Sequence, residues 1–362
     1  KRVSNAVYDR TSVEAFFTFE PVTCTTLELR ITGYYPASPA IRELEIFDWP
    51  QATPESQPGS TPSAAASPAY RWAQTDDSIA LLNGDRIVWR FNYGKDLPKA
   101  YFDPLNLPDG TELVWLSPPD HEWHFALWFS WKEINGLNYW EQWNTPGQGR
   151  TRVLDGRARA NPDHSADIDL TVSYHPDGKP ALLTERRSIH VHPPEADGSY
   201  RIDWTSAFTA GAEDVHLKGG TAGGGYAGLS VRISPRTREW QLLDSEGRRD
   251  QPCEGMARHT HGQRSKWCDF SLVGMLTGSP AGVTVFDHPA NLRHPSYWHN
   301  LIDDRIPFGY FSPALLWAEP YTLPAGQELV LRYRILIHAG RPDAERFDAE
   351  WHAFSTAKLA EP

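Results

Sequence analysis

Apolar and polar residues alternate with period two along most of this chain, and a helical period emerges only near its C-terminal end. The alternation predicts strands over residues 85–93, 112–116, 168–174, 182–192, 201–209, 228–234, 267–276, 282–287, 315–321 and 328–338. Turn sequences such as Pro176-Asp177-Gly178 and Pro324-Ala325-Gly326 separate them. Over 343–357, Ala344, Phe347, Trp351 and Phe354 recur every three or four residues and predict one helix. Many strands with so little helix imply an all-β protein, a large antiparallel β-sandwich with a C-terminal helix.

The pattern also divides the chain. Residues 1–49 carry three short alternating runs, at 14–19, 26–32 and 42–47, and are too few to bury a core of their own. Residues 50–69 are dominated by Pro, Ser, Ala and Gly and read as a linker. Residues 70–362 form the expected β-sandwich catalytic domain. The runs Thr26-Thr-Leu-Glu-Leu-Arg-Ile-Thr and Ile41-Arg-Glu-Leu-Glu-Ile-Phe-Asp resemble the last two strands of a discoidin-type carbohydrate-binding module.

Composition narrows the function. The 362 residues include 35 Lys and Arg against 46 Asp and Glu, a formal charge of −11 that argues against a nucleic-acid partner. It argues equally against adhesion to an anionic membrane. No apolar run is long enough to span a bilayer. Mean hydropathy is −0.53, yet there are 15 Trp, 14 Tyr and 15 Phe, so the chain is folded and has aromatic surface to spare. Two Met and abundant Trp fit an exported bacterial protein, and a start at Lys1 fits a trimmed piece of something longer. Cys24, Cys253 and Cys268 are an odd set and no disulfide framework. Cys253 and Cys268 either pair across a hairpin or stay as buried thiols.

Three clusters could carry chemistry. Residues 118–141 hold His121, His124, four Trp, Lys132, Asn135, Tyr139 and Glu141. On a helix or tight turn the two histidines would share a face, and on a flat strand they would point apart; Pro118-Pro119 makes a turn start plausible. Imidazole suits proton transfer near neutral pH, and the competing reading is a core aromatic strand with surface histidines. The second cluster, from Asp287-His288-Pro289 through Asn291, Arg293 and His294 to Trp298, reads as a polar loop above a sheet, or as local turn chemistry. In the third, period two puts Glu185 and Arg187 on one face, as a structural ion pair or as a carboxylate-binding Arg held by Glu. A glycine-rich stretch from Gly219 to Arg232 lacks a phosphate-loop signature and would bring Tyr226, with Arg232, to a cleft rim. No Gly-x-Ser-x-Gly elbow is present. No metal or cofactor is expected; the alternative is a divalent ion at His121 and His124, joined by His288 or His294.

In this order, the motifs resemble a bacterial family labelled "PmoA family". The label comes from a membrane-embedded methane monooxygenase subunit and does not suit a chain without a spanning segment. Tyr101-Phe-Asp-Pro-Leu105 stands where the family has Tyr-Phe-His-Pro-Leu. Asp120-His-Glu-Trp-His-Phe-Ala-Leu127 stands for Asp-His-Pro-His-His-Arg-Gly-Leu. Gly136-Leu-Asn-Tyr-Trp140, Glu185 with Arg187, Trp267 with Asp269, Asp287–Asn291 and Leu331–Arg334 follow. The stretch from Trp128 to Asn135 is similar to a subgroup tied to uronic-acid polysaccharides of the ulvan kind, which includes an oligosaccharide dehydratase. The resemblance implies a supersandwich like that of galactose mutarotase, with a sugar-binding concave face.

It also implies a lyase that eliminates water from the non-reducing-end uronate of an oligosaccharide. Such chemistry needs a base for the C5 proton, expected at His121 or His124. It needs an acid for the leaving 4-hydroxyl, expected at the other His, His288 or Tyr226. A cation must neutralise the carboxylate, Arg187 or Lys132. Trp131, Tyr139, Trp140 and Trp298 are expected to stack on sugar. Asn135, Glu141, Glu185, Trp267, Asp287, Asn291 and His294 complete the expected binding set. The histidine pair and the Asp-His-Pro loop are expected to meet in one hollow. A glycoside hydrolase would instead need two carboxylates about 5–9 Å apart, from Glu141, Glu185, Asp269 and Asp287. Non-catalytic sugar binding is the third reading.

Overall fold

Period-two segments become strands here because one face of each can be buried against a second sheet. The computed structural model describes residues 69–141, 144–220, 225–251, 258–303 and 308–358. The chain divides between Ala66 and Ser67, and the first unit, with the discoidin-like runs, lies outside the described residues, as do Cys24 and Cys253.

The strands are β1 Tyr70–Gln74, β2 Ser78–Asn83, β3 Arg86–Asn92, β4 Tyr101–Leu105, β5 Leu127–Ser130, β6 Glu133–Ile134 and β7 Leu137–Asn138. There follow β8 Gly149–Ala160, β9 Ala166–Pro176, β10 Leu183–Val191, β11 Tyr200–Ala210, β12 Val215–Lys218, β13 Gly228–Arg232 and β14 Thr237–Asp244. The last are β15 Arg249–Asp250, β16 Trp267–Gly274, β17 Pro280–Asp287, β18 Trp298–Asp303, β19 Phe308–Pro313, β20 Tyr321–Leu323 and β21 Glu328–Ala339, before helix α1, Ala344–Thr356. Among the described residues they form an antiparallel eight-stranded sheet (β1-β2-β3-β4-β5-β13-β19-β18) and a nine-stranded sheet (β15-β14-β16-β17-β21-β11-β10-β9-β8). A small third sheet follows the order β20-β12-β6-β7.

The two large sheets pack face to face into a β-sandwich. Aromatic contacts cross the interface: Phe129 lies 5.1 Å from Phe208, Phe270 6.0 Å from Phe311, and Phe91 6.2 Å from Trp204. Helix α1 covers the far face of the nine-stranded sheet. Asp343 caps it by accepting from the Arg346 amide at 3.0 Å. Phe347 and Phe354 sink onto Leu243, Trp267, Phe286 and Leu336, which alternate with core residues Leu242, Cys268, Val285 and Ile335.

Several expectations need correction. Residues 315–319 turn rather than extend, because Pro313 and Pro320 bracket them and deny the ladder two donors. Residues 112–116 make only isolated bridges. The twelve-residue edge strand β8 was not predicted, since its Arg-rich alternation leaves few apolar positions to read.

Glu185 and Arg187 do share a face of β10, but that face is the core. Arg187 donates to Glu185 at 2.6 and 2.9 Å, while the Tyr174 and Ser206 hydroxyls each donate to the same carboxylate at 2.6 Å. The guanidinium lies 4.7 Å from the Trp204 ring, and both charged side chains are sealed from solvent. They form a structural pair and cannot hold a substrate carboxylate. Three expected stacking residues are likewise internal. Trp131 packs on Phe208 at 5.0 Å, Trp298 packs on Phe311 and donates to the Ser265 carbonyl, and Tyr139 lies so close to Gly149 that a Cβ there would strike its ring. Trp267 sits under α1 with its indole donating to Asp348 at 2.9 Å.

Removing one member of a buried pair leaves the other charge uncompensated. Glu185→Ala is therefore expected to cost about 3–5 kcal/mol of unfolding free energy, measured by urea titration. A cost under about 1 kcal/mol would contradict the sealed pair.

Candidate functional site

The outer face of the eight-stranded sheet carries the densest group of candidate side chains. On β5, β13 and β19 the residues Leu127, Phe129, Leu229, Val231 and Phe311 enter the core. Their neighbours Trp128, Ser230, Arg232, Tyr310 and Ser312 therefore face the other way, and on β18 His299 follows core residue Trp298. Trp128, Trp140 and Tyr310 form a separate aromatic floor with Phe125, flanked by Tyr101, Trp123 and Tyr226.

Residues 117–125 fold back over this floor as a tight turn. The His121 amide donates to the Pro118 carbonyl at 2.9 Å, the His124 amide to the His121 carbonyl at 2.9 Å, and the Ser117 amide to the His124 carbonyl at 2.8 Å. Ser117 and Ala126 bracket the turn with φ of 48° and 59°. The turn resolves the open question of spacing: the imidazoles share a face, with ring centres 4.6 Å apart. His121 is partly exposed, whereas His124 is sealed between Trp128 and Tyr310 at 5.2 and 5.3 Å.

Two charged groups frame the pair. Arg232 donates through Nη2 to both Asp120 oxygens at 3.1 and 2.9 Å, and Asp120 lies 2.9 Å from His121 Nδ1. A carboxylate there holds the proton on Nδ1 and puts the imidazole lone pair on Nε2. Opposite, Lys132 bonds Glu141, which also accepts from Asn138 at 2.7 Å. Asn138 in turn accepts from the Trp140 and Glu141 amides and fixes that corner. Tyr226 lies 5.6 Å from Trp140, and the Lys132 ammonium is 5.8 Å from its ring.

Burial tunes these groups. Desolvation alone would raise Asp120, but the bond with His121 and the Arg232 guanidinium hold it below the ordinary carboxylate value. Glu141 follows the same logic with Lys132 and Asn138. Burial pushes His124 well below the usual imidazole value, reinforced by the neighbouring His121 and Arg232, so it is neutral. Burial also raises the Tyr226 phenol, with Glu141 adding to the effect.

Lys99 is sealed beneath the site. Its ammonium donates to the Trp140 carbonyl at 2.9 Å, and the Phe125 ring lies 5.0 Å away. It thereby ties the histidine turn to the 138–141 corner. Burial pushes it down to about 7, against the pull of Glu141.

The arrangement offers a positioned base at His121 Nε2, a neutral imidazole at His124, a phenol at Tyr226, and cations at Lys132 and Arg232. Both local carboxylates are held ionised by partners. Among the described residues no group of three or more His, Cys, Asp or Glu side chains is placed to hold a metal ion.

The Asp-His-Pro loop does not join this hollow. Asp287 ends β17 in the other sheet and accepts from Asn291 at 2.8 Å, His294 at 2.9 Å and the Ser296 amide at 2.8 Å. His294 stacks on Trp351 of α1, and His288 abuts Phe354. Short-range turn chemistry and the helix hold this loop, and His288, Asn291 and His294 lie with them. Asn135 sits in the β6–β7 turn at φ 49°, bonded to the His216 amide and the Asp214 carbonyl. It borders a shallow open depression with Glu213, Asp214 and His216, apart from the aromatic floor. Of the expected set, the hollow unites His121, His124, Lys132, Trp140, Glu141 and Tyr226. Lys99, Tyr310 and His299 were missed, although the alternation Trp298-His299 and Phe311-Tyr310 marks them once these segments are recognised as strands.

The chain belongs to a family of unknown function, DUF6807, whose model matches residues 78–352 and encloses the whole site. That is the family the match supplies, in place of the methane monooxygenase label. No curated protein matches the chain. Among solved structures, the galactosidase domain of an α-galactosidase–sucrose kinase, AgaSK, is 9% identical with a TM-score of 0.37, covering 73% of this chain and 40% of that one. An α-galactosidase from Lactobacillus brevis is 11% identical with a TM-score of 0.40, covering 75% of this chain and 39% of that one. The chain thus spans about two fifths of each, and the likeness concerns the β architecture alone. Among the described residues no helix is long and apolar enough to cross a membrane.

Lys99 gives a pH test. Its folded-state value lies below that of the unfolded chain, so between about pH 7 and the ordinary lysine range the unfolded chain binds more protons. Stability gained from this group therefore rises with pH across that window. Lys99→Met removes the slope, so the stability of the variant minus wild type should fall by up to about 1.4 kcal/mol per pH unit from pH 7 to 9 in urea titrations. A difference that stays flat would contradict a desolvated lysine.

Proposed function

We propose that this hollow binds the uronate end of an oligosaccharide and removes water from it. The observation that carries the reading is the pairing of His121, oriented by Asp120, with His124 at 4.6 Å. His121 Nε2 takes the C5 proton. The electron pair forms the C4–C5 double bond, and the C4–O bond breaks. The Tyr226 hydroxyl protonates the departing oxygen, so water leaves and the phenolate recovers its proton from solvent. Lys132 neutralises the uronate carboxylate and so acidifies C5, with Arg232 adding positive potential from beneath. Trp123, only partly buried, supplies an apolar ring face for the sugar, while Trp140, expected to stack, is fully buried and packs beneath as part of the floor. His124, neutral and buried, backs His121 without adding charge.

Hydrolysis fits less well. It needs one carboxyl kept protonated as the acid. Asp120 and Glu141 are both held below ordinary values, while Glu185, Asp269 and Asp287 are each consumed by internal partners.

His121→Ala and Asp120→Asn should each lower turnover on uronate-terminated oligosaccharides about 10²–10⁴-fold. The assay is ultraviolet absorbance of the conjugated enoate, with mass spectrometry of the product. A product heavier by one water would establish hydrolysis instead, and full turnover in both variants would refute the assigned base.

A further inference from the structure

A second imidazole pair lies beside the first. His261 and His299 have ring centres 5.2 Å apart, and Trp317 stands 5.0 Å from His261 and 5.8 Å from His299. Tyr310 touches both pairs, at 5.3 Å from His124 and 5.5 Å from His299. Tyr226 lies 4.3 Å from His299 and 5.6 Å from Trp140. The two imidazole pairs therefore share Tyr310, and Tyr226 reaches the second pair from the floor of the first.

The second group is firmly built. Asp250 accepts from the amides of Arg258, His259 and Thr260 at 2.8–2.9 Å and from the Thr260 hydroxyl at 2.7 Å, which fixes the segment leading to His261. His261 Nδ1 lies 2.8 Å from the Asn300 carbonyl, so the proton sits there and Nε2 is an acceptor. Trp317 is wedged between glycines: a Cβ on Gly225 or Gly262 would come within 2.6 or 2.9 Å of its indole, and Gly262 also needs φ +69°. His299 is almost wholly buried, and among the described residues its Nδ1 has no hydrogen-bond partner. A buried nitrogen left so is costly unless something outside the chain satisfies the site.

The charge differs from that of the first pair. Burial drives His299 down to about 3, helped by His261, and burial lowers His261 too, so both rings are neutral. Among the described residues no lysine or arginine bonds or stacks with either ring or with Trp317. His261 offers an acceptor at Nε2, since its donor is spent on the Asn300 carbonyl, and neutral His299 adds a ring nitrogen, which suits hydroxyls and brings no positive charge to balance a carboxylate.

We propose that His261, His299 and Trp317 form a second subsite, which takes an uncharged sugar residue adjoining the uronate. This rests on the hollow being a uronate site. The preferred ligand then alternates uronate with neutral sugar, and two successive uronates are disfavoured.

The test is ligand titration followed by NMR, with glucuronate and with a disaccharide of glucuronate linked to a neutral hexose. Wild type should bind the disaccharide at least about tenfold more tightly, a stacking contribution of about 1.4 kcal/mol. Trp317→Ala should cut the disaccharide-to-monosaccharide affinity ratio about tenfold, and His261→Gln should cut it less. Trp317→Phe, which keeps a ring face, should restore most of the ratio and guards against a merely structural effect. An equal ratio in wild type and Trp317→Ala overturns the subsite while leaving the uronate site standing. If wild type binds neither ligand, the uronate reading itself fails and the subsite falls with it.

Discussion

Along β5, β13 and β19 the side chains that fill the core and those that floor the hollow are immediate neighbours in sequence. Leu127 and Phe129 alternate with Trp128, and Val231 with Arg232. Because the side-chain period of a strand is two, a slip of one residue would exchange the sets, burying Arg232 in the core and sending Val231 outward. The packed interface between the two large sheets resists any such slip. Phe129 on Phe208 and Phe311 on Phe270 fix the register from behind, and the site inherits its geometry from that packing. The functional face is thus rigid although it is polar, since the same backbone serves both sides.

That rigidity lets the protein hold charge where water is scarce. Arg232 is sealed, and desolvation lowers its affinity for a proton, yet Asp120 lies across two bonds and compensates it. Asp120 in turn orients His121. One salt bridge therefore carries the cost of burying the arginine and sets an imidazole tautomer at the rim. Lys132, Glu141 and Asn138 repeat the plan on the opposite side with a backbone corner in place of a strand. Among the described residues Lys99, in contrast, bonds to carbonyls and meets ring faces rather than pairing with a carboxylate, so burial outweighs the more distant pull of Glu141.

Much of this was legible in the sequence. The all-β architecture followed from alternation and turn residues, and helix α1 from the spacing of Phe347, Trp351 and Phe354. The histidine turn was marked by Pro118-Pro119 and by the density of aromatic residues after it. Tertiary placement was not legible. Glu185 and Arg187 alternate correctly along β10, but nothing local says whether the shared face meets solvent or a second sheet. Trp131, Tyr139, Trp267 and Trp298 read as stacking surfaces by residue type, yet a sandwich of this size needs large side chains inside, and these are among them. His299 escaped notice because its strand pairs with a segment that shows little apolar periodicity of its own.

The two Asp–His pairs make the same point at atomic scale. Asp120 meets His121 Nδ1 at 2.9 Å, and Asp287 meets His294 Nδ1 at 2.9 Å, so bond geometry alone does not separate them. Surroundings do. The His121 side chain keeps 32% of its surface open and lies beside a second imidazole and the Trp123 ring, whereas His294 keeps 14% and lies flat on Trp351. Asp287 spends its remaining capacity on Asn291 and the Ser296 amide, which closes the loop against α1, whereas Asp120 spends its own on a buried guanidinium. An imidazole clamped between a carboxylate and an indole is a fastener. His121, by contrast, meets Trp123 edge-on at 5.1 Å and packs beside His124, and its carboxylate is balanced by Arg232, so it stays at a partly open rim rather than flat against a helix.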